Sequence, residues 1–132
     1  TEPPMPPYMT LGCTDPATAH AFYDAVLATI GWSVQSDFPG GWRAYSEGGR
    51  SEGFKFWVCP PFNGEAASTG NGVMLGLPAR SRAEVDAFHA TAMALGAADE
   101  GAPGPRPVYS PTWYGAYLRD PSGNKLGIYF EA

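Results

Sequence analysis

Apolar side chains recur at helical spacing in two segments of the chain, one in each half. The spaced positions are Phe22, Tyr23, Val26, Leu27 and Ile30 in the first half, and Val85, Phe88, Ala92 and Leu95 in the second. Asp15-Pro16 predicts the start of the first helix, with an N-cap followed by proline at the first helical position. Ser81 and Glu84 have the spacing of a capping box, which predicts the start of the second. Gly31 predicts where the first helix ends.

Alternating or β-prone runs predict strands around both helices. A short strand is expected from residue 97, followed by a proline- and glycine-rich excursion at 101–107. Each half of the chain therefore reads β-α-β-β-β. The other predicted strands are 8–13, 32–38, 42–45, 54–59, 73–77, 114–119 and 125–130.

The two halves also resemble each other in sequence. A shift of 66 residues places Ala21-Phe22-Tyr23 on Ala87-Phe88-His89, and internal similarity of this kind indicates a repeated structural unit. We predict a single domain over 1–132, because one compact domain fits this length. It would hold a first unit at 8–59, a linker at 60–72 and a second unit at 73–130, after an extended proline-rich lead at 1–7.

Composition narrows the range of partners. The formal net charge of −5 and the absence of a basic patch exclude nucleic acid as an expected partner. This charge slightly favours a cationic ligand, or it belongs simply to an ordinary solvated surface. Aromatic residues make up 14% of the chain and supply planar surface suited to a pocket or an interface. No long apolar run is present, so we expect no membrane partner and a cytoplasmic protein. Cys13 and Cys59 are expected to be reduced, although a disulfide between them stays open.

Two segments carry a family likeness. Residues 21–27 (AFYDAVL) resemble the first helix of the vicinal oxygen chelate superfamily, which includes glyoxalase I, bleomycin-resistance proteins and extradiol dioxygenases. Residues 114–125 (YGAYLRDPSGNK) resemble its most recognisable segment, a strand that leads into a D-P-x-G-N turn. The resemblance implies an α+β fold in which two tandem β-α-β-β-β units form a half-open mixed β-barrel around a cavity. It also implies a homodimer with its cavities near or across the subunit interface.

Enzymes of that superfamily hold a divalent metal through a histidine on the first strand and a carboxylate on the last strand of each unit. In this chain the four matching positions are Tyr8, Trp57, Met74 and Gly127. Thioether, indole and glycine side chains do not bind a hard or borderline divalent cation, and neutral tyrosine is a rare ligand. We therefore predict no metal and no other cofactor. His20 and His89 both lie on the predicted helices and are expected to be structural.

The same positions suggest a ligand site instead. Tyr8, Trp57 and Met74 would form a planar, polarizable floor for an aromatic ligand, or would simply fill the cavity as core. Residues before the penultimate strand would shape access. The guanidinium of Arg106 would suit a carboxylate or phosphate, or Arg106 would be an ordinary surface arginine. The remaining candidates in this region are Tyr109, Trp113 and Tyr114.

Three functions stay open at this point. The first is binding of a small aromatic or planar organic ligand in a metal-free cavity, as in bleomycin-resistance proteins. The second is an enzyme of the lyase, isomerase or dioxygenase type, with metal ligands from unexpected positions such as Tyr8 with Glu52 or Asp99, or with metal-free acid–base chemistry. The third is an interaction module with a packed interior and no small ligand.

Overall fold

The computed structural model describes residues 5–132, so residues 1–4 of the predicted proline-rich lead lie outside the described part. Residues 5–132 form ten helices and strands, five in each half. The first half contains β1 (Tyr8–Gly12), α1 (Pro16–Ala28), β2 (Trp32–Phe38), β3 (Trp42–Glu47) and β4 (Lys55–Cys59). The second half contains β5 (Leu75–Pro78), α2 (Arg82–Ala94), β6 (Ala98–Pro105), β7 (Trp113–Arg119) and β8 (Lys125–Glu131).

Each half builds one four-stranded mixed sheet, and the two sheets have the same topology. The strand orders are β1-β4-β3-β2 and β5-β8-β7-β6. The first strand of each unit pairs in parallel with the last, and the other pairings are antiparallel. Neither sheet closes on itself. The α+β fold class with two tandem β-α-β-β-β units is therefore confirmed.

Helix α1 begins as Pro16 predicts, but the Asp15 side chain does not cap the backbone. Its carboxylate instead accepts a 2.5 Å hydrogen bond from the Thr18 hydroxyl. Gly31 follows the helix with a φ of 79°, in the left-handed region that glycine adopts without strain.

Helix α2 keeps one of the two hydrogen bonds of the predicted capping box. The Ser81 side chain accepts from the Glu84 amide at 3.1 Å. The Glu84 carboxylate does not return to the Ser81 amide and accepts instead from the Arg80 amide at 2.8 Å and from the Arg80 guanidinium at 2.7 Å. The guanidinium competes for the same carboxylate, and its charge-assisted hydrogen bonds are the stronger ones.

The predicted excursion at 101–107 is wrong over most of its length, because β6 continues to Pro105. Gly101 pairs with Tyr117 and Gly104 with Gly115, across two irregularities in the register. β6 is the edge strand of its sheet, and proline is tolerated on an edge strand since its missing N–H removes no bond from the interior of the sheet.

Alternation along the strands divides each sheet into two faces. One face packs against the helices and forms a continuous core in which Tyr45, Phe56, Leu118 and Ile128 are buried. The opposite face of each sheet is not covered by a helix. In residues 5–132, neither helix is long and apolar enough to cross a membrane.

Candidate functional site

The uncovered face of the first sheet forms a cavity of about 1090 Å³, here called the first cavity. Residues 60–68 of the predicted linker form its opposite wall. A Cβ atom on Gly12 would lie 3.4 Å from the Cβ of Ala67, which shows how closely this segment approaches β1. The strand residues that line the first cavity are Tyr8, Thr10, Gly12, Phe38, Trp42, Lys55, Trp57 and Cys59.

An aromatic cluster lies at the centre of the first cavity. The Trp57 ring packs against Phe38 at a centroid distance of 5.3 Å and against Trp42 at 6.1 Å, in tilted and edge-on geometries. Nζ of Lys55 lies 5.4 Å from the Trp57 ring centroid, within the range of a cation–π contact. Tyr8, whose backbone is opposite Lys55 in the β1–β4 register, is 66% exposed. The cavity thus offers several aromatic surfaces that no side chain covers completely.

The uncovered face of the second sheet forms a smaller cavity of about 500 Å³, here called the second cavity. Trp113 stacks face to face on Tyr129, with centroids 4.5 Å apart and planes 3° apart. Burial and the neighbouring Tyr109 raise the pKa of the Tyr117 hydroxyl. The lining residues are Met74, Glu100, Tyr109, Trp113, Tyr117 and Lys125.

The Trp113 indole lies close to the backbone of β7. A Cβ atom on Gly115 would approach its Nε1 to 3.0 Å, so a residue larger than glycine would push the indole away. This Nε1 is buried and has no hydrogen-bond partner among residues 5–132. The absence of a side chain at Gly115 therefore leaves room for the Trp113 ring, which lines the second cavity.

The structure divides the predicted site residues between these two places. Tyr8 and Trp57 meet in the first cavity, whereas Met74, Tyr109 and Trp113 meet in the second. The floor predicted from Tyr8, Trp57 and Met74 is therefore not a single surface within one chain.

Arg106 and Tyr114 line neither cavity. The Arg106 guanidinium donates to the Ala102 and Pro105 carbonyls at 2.7 and 3.2 Å. The Tyr114 hydroxyl donates to Asp86 of α2 at 2.6 Å, and its ring lies under the Arg82 guanidinium. Tyr114 is on the helix-facing side of β7 because it alternates in phase with buried Ala116 and Leu118.

The four positions that correspond to metal ligands do not fit a divalent cation. Thr10 pairs with Trp57 and Gly76 pairs with Gly127 in equivalent registers, which supports the alignment of the two units. The donors at these positions are a phenol, an indole, a thioether and no side chain at all, divided between two cavities. Within residues 5–132, no three histidine, cysteine, aspartate or glutamate residues come together as a metal site.

Alternative ligands and catalytic groups are also dispersed. Asp99 accepts from Nε2 of His89 at 3.0 Å and from the Gly101 amide at 3.0 Å, and these hydrogen bonds lower the pKa of its carboxyl. Glu52 is exposed and lines neither cavity. Nε2 of His20 donates to the Val58 carbonyl at 3.0 Å, in the role of a structural histidine.

Cys59 ends β4 and Cys13 directly follows β1, and both are free thiols. The Cys13 amide donates to the Cys59 carbonyl at 2.8 Å. Burial raises the pKa of the Cys13 thiol and raises that of Cys59 to about 11. Neither thiol has the electropositive surroundings that activate a nucleophilic cysteine.

Sequence reasoning missed several residues of both cavities. Lys55 and Tyr117 could have been predicted from strand alternation. Lys55 lies on the same face of its strand as Trp57, and Tyr117 lies on the same face as Trp113. Phe38 and Trp42 flank the Pro39-Gly40-Gly41 turn, and their meeting with Trp57 depends on strand order, which the local pattern does not specify. Nothing in the composition of residues 60–68 indicated a cavity wall.

Comparison with known proteins places this geometry in a family. A family model described as a glyoxalase-like domain matches residues 8–129. A search of curated proteins finds no significant match. Among solved structures, a glyoxalase/bleomycin resistance protein from Albidiferax ferrireducens T118 is 36% identical with a TM-score of 0.83, and the match covers 95% of this chain and 97% of that one.

More distant structures share the fold. A glyoxalase/bleomycin resistance protein/dioxygenase family enzyme from Burkholderia phytofirmans PsJN is 20% identical, with a TM-score of 0.70 and coverage of 95% of this chain and 97% of that one. A putative glyoxalase from Bacillus halodurans is 16% identical, with a TM-score of 0.71 and coverage of 96% and 95%. The resemblance to the vicinal oxygen chelate superfamily is thereby confirmed, and the chain belongs to the glyoxalase-like domain family.

Proposed function

We propose that this protein binds a small planar aromatic ligand in the first cavity, without a metal ion. The observation that carries the proposal is the aromatic cluster of Trp57, Phe38 and Trp42, which lines an open cavity of about 1090 Å³. Cavities of this order accept small organic molecules, and most of their lining is apolar or aromatic. The name of the similar A. ferrireducens structure, which includes bleomycin resistance, is compatible with ligand capture.

Stacking supplies the expected affinity. A planar ring inserted beside Trp57 gains an offset or edge-on aromatic contact, worth about 0.5–1.5 kcal/mol beyond the area that it buries. The Thr10 and Ser51 side chains, which also line the cavity, offer hydroxyl groups that orient polar substituents. A packed, pocketless interior would support the interaction-module hypothesis, whereas the open first cavity favours a small ligand.

A thermal-shift screen of planar aromatic and heterocyclic compounds tests the proposal. A compound at about ten times its Kd stabilises the folded state by about 1.4 kcal/mol, which raises the Tm by a few degrees. We expect Trp57→Leu to abolish the shift, and Trp113→Leu in the second cavity to leave it unchanged. Absence of any hit, or hits that survive Trp57→Leu, would contradict the proposal.

Turnover assays address the enzymatic alternative. The methylglyoxal–glutathione adduct is incubated with the protein, with and without added divalent metal, and lactoylglutathione is measured. We expect none to form above the rate of the buffer, because the described residues bring no metal-ligand set together. Formation at a catalytic rate would favour an enzyme over a binding protein.

A further inference from the structure

The chain contains only two lysines, and both lie at the uncovered faces of the sheets. Lys55 lines the first cavity and Lys125 lines the second. Their positions in the two units are equivalent: Thr10 of β1 and Gly76 of β5 are related by the 66-residue shift, and each lysine lies two residues before the partner of one of them. Trp57 is opposite Thr10 in the first unit, and Gly127 is opposite Gly76 in the second. The duplicated fold thus presents one ammonium group to each cavity.

The two lysines differ from most of the arginines in their pairing. Four of the six arginines form ion pairs with carboxylates: Arg43, Arg50, Arg80 and Arg119. Neither lysine forms an ion pair with a carboxylate in the part of the chain that the structure describes. Nζ of Lys55 lies over the Trp57 ring and that of Lys125 lies 5.8 Å from the Tyr117 centroid. Each ammonium group is therefore held at an aromatic surface and keeps its hydrogen-bond donors available.

The local charge of the first cavity differs from that of the whole chain. The net charge of −5 slightly favours a cationic ligand, but the lining contains one cation, Lys55, and one anion, Glu65. The Glu65 carboxylate lies on the linker wall and accepts from the Asn63 side-chain amide at 3.2 Å. Lys55, by contrast, lies beside the ring on which a planar ligand would stack. The contacts nearest the ligand therefore favour a negative group.

From this arrangement we infer that the ligand of the first cavity is a planar aromatic carboxylate, and that Lys55 binds its carboxylate group while Trp57 stacks on its ring. The inference rests on the proposed function and specifies its ligand class. A flexible ammonium group suits this role because it adjusts to the position of the carboxylate while the ring is fixed by stacking. A charge-assisted hydrogen bond is roughly twice as strong as a neutral one, so the negative group should dominate selectivity.

Three compounds with the same ring test the inference by calorimetry at low salt: 2-naphthoate, 2-naphthamide and 2-naphthylmethylammonium. We expect the native protein to bind 2-naphthoate at least about tenfold more tightly than the amide, and the ammonium compound most weakly. Lys55→Gln should reduce the naphthoate-to-amide ratio to about one and leave the affinity for the amide within about twofold. Lys55→Arg should restore most of the ratio. Arg82→Gln, which removes one positive charge outside both cavities, should leave the ratio unchanged.

The outcomes separate the two proposals. Equal binding of all three compounds, or a preference for naphthoate that persists in Lys55→Gln, would overturn the inference while the proposed function stands. If none of the three compounds binds the native protein, the stacking proposal fails for this ring system and the inference fails with it. Added salt should weaken the preference for naphthoate and have little effect on the amide.

Discussion

The hydroxyl of Tyr23, on the first helix, donates a 2.5 Å hydrogen bond to Oδ2 of Asp120, which is 97 residues further along the chain. Both residues are buried. Asp120 opens the D-P-x-G-N turn, where its Oδ1 accepts from the Ser122 and Asn124 amides at 2.9 Å. The Asn124 side chain in turn donates to the Gly12 carbonyl at 2.8 Å. The D-P-x-G-N turn at 120–124 therefore fastens the second unit to the first, and its residues line neither cavity.

This relationship predicts that Tyr23→Phe destabilises the fold. Removal of the hydroxyl leaves a buried carboxylate oxygen short of one donor, which costs about 1–3 kcal/mol. Burial and the adjacent Asp120 raise the pKa of Tyr23 well above its usual range, which favours the protonated hydroxyl as the donor. Urea unfolding measures the change. The control is Tyr114→Phe, because the hydroxyl of Tyr114 donates to the exposed side chain of Asp86. The free energy of unfolding of this variant should fall by less than about 1 kcal/mol. Equal losses of stability in the two variants would show that burial of the Tyr23–Asp120 pair does not increase the contribution of its hydrogen bond.

Metal content is a second prediction. Because the four ligand-equivalent positions offer no suitable donor set, the purified protein should hold far less than one divalent metal per chain by mass spectrometry. Dialysis against divalent cations, followed by removal of free metal, should not change this. A stoichiometric metal would mean that ligands come from other positions, and it would put the enzymatic alternative ahead of the binding proposal.

The buried thiols lead to a third prediction, on chemical reactivity. With a pKa of about 11, the Cys59 thiol is ionised to roughly one part in a thousand at pH 8. Cys13 is also buried, and burial raises its pKa. A disulfide-exchange reagent should label neither cysteine of the native protein within minutes, and both at once after unfolding in guanidinium. Fast labelling of one thiol in the native protein would show that the wall of residues 60–68 opens readily beside Cys59.

Acid stability provides a fourth prediction through Asp37 and Arg43. Nε of Arg43 donates to Oδ1 of Asp37 at 2.9 Å, and this hydrogen bond lowers the pKa of the carboxyl below its usual 3.8. A group whose pKa is lower in the folded state stabilises the fold above its unfolded pKa, and this contribution is lost as the pH falls through the folded value. Asp37→Asn should therefore lower the free energy of unfolding at pH 7, and its difference from the native protein should shrink between about pH 4 and pH 2.

The matched control for this experiment is Glu52→Gln. Glu52 is exposed, and its side chain makes no ion pair within residues 5–132. The difference between Glu52→Gln and the native protein should be small at pH 7. If Asp37→Asn shows a constant difference across the whole pH range, the loss would come from packing rather than from the ionised carboxylate.

The sequence predicted the order of elements well because each rests on a local signal. Pro16, Gly31 and the Ser81–Glu84 spacing mark helix ends, and strand phase follows from alternation. The site was harder to predict because its composition depends on long-range geometry. Strand phase distinguishes Tyr117 from Tyr114, because Ala116 and Leu118 identify the buried face of β7. The prediction of Tyr114 as a site residue rested instead on its position next to Trp113 in the sequence. No local pattern shows that Met74 and Trp57 lie in different cavities, because that depends on how two similar units pack.

Oligomeric state is the fifth prediction, and it follows from the uncovered sheet faces. Large apolar side chains at the cavities remain exposed in the single chain, among them Tyr8 at 66%, Phe38 at 60% and Tyr109 at 61%. Large apolar side chains exposed together on one face mark an interaction site, and a two-fold dimer is the commonest way to cover such a face. We expect light scattering to give twice the mass of one 14.0 kDa chain. Phe38→Asp should shift the population toward the monomer, whereas Leu95→Asp, exposed at the end of α2, should not. A native mass of one chain at micromolar concentration would contradict the prediction, and the first cavity would then be complete without a partner.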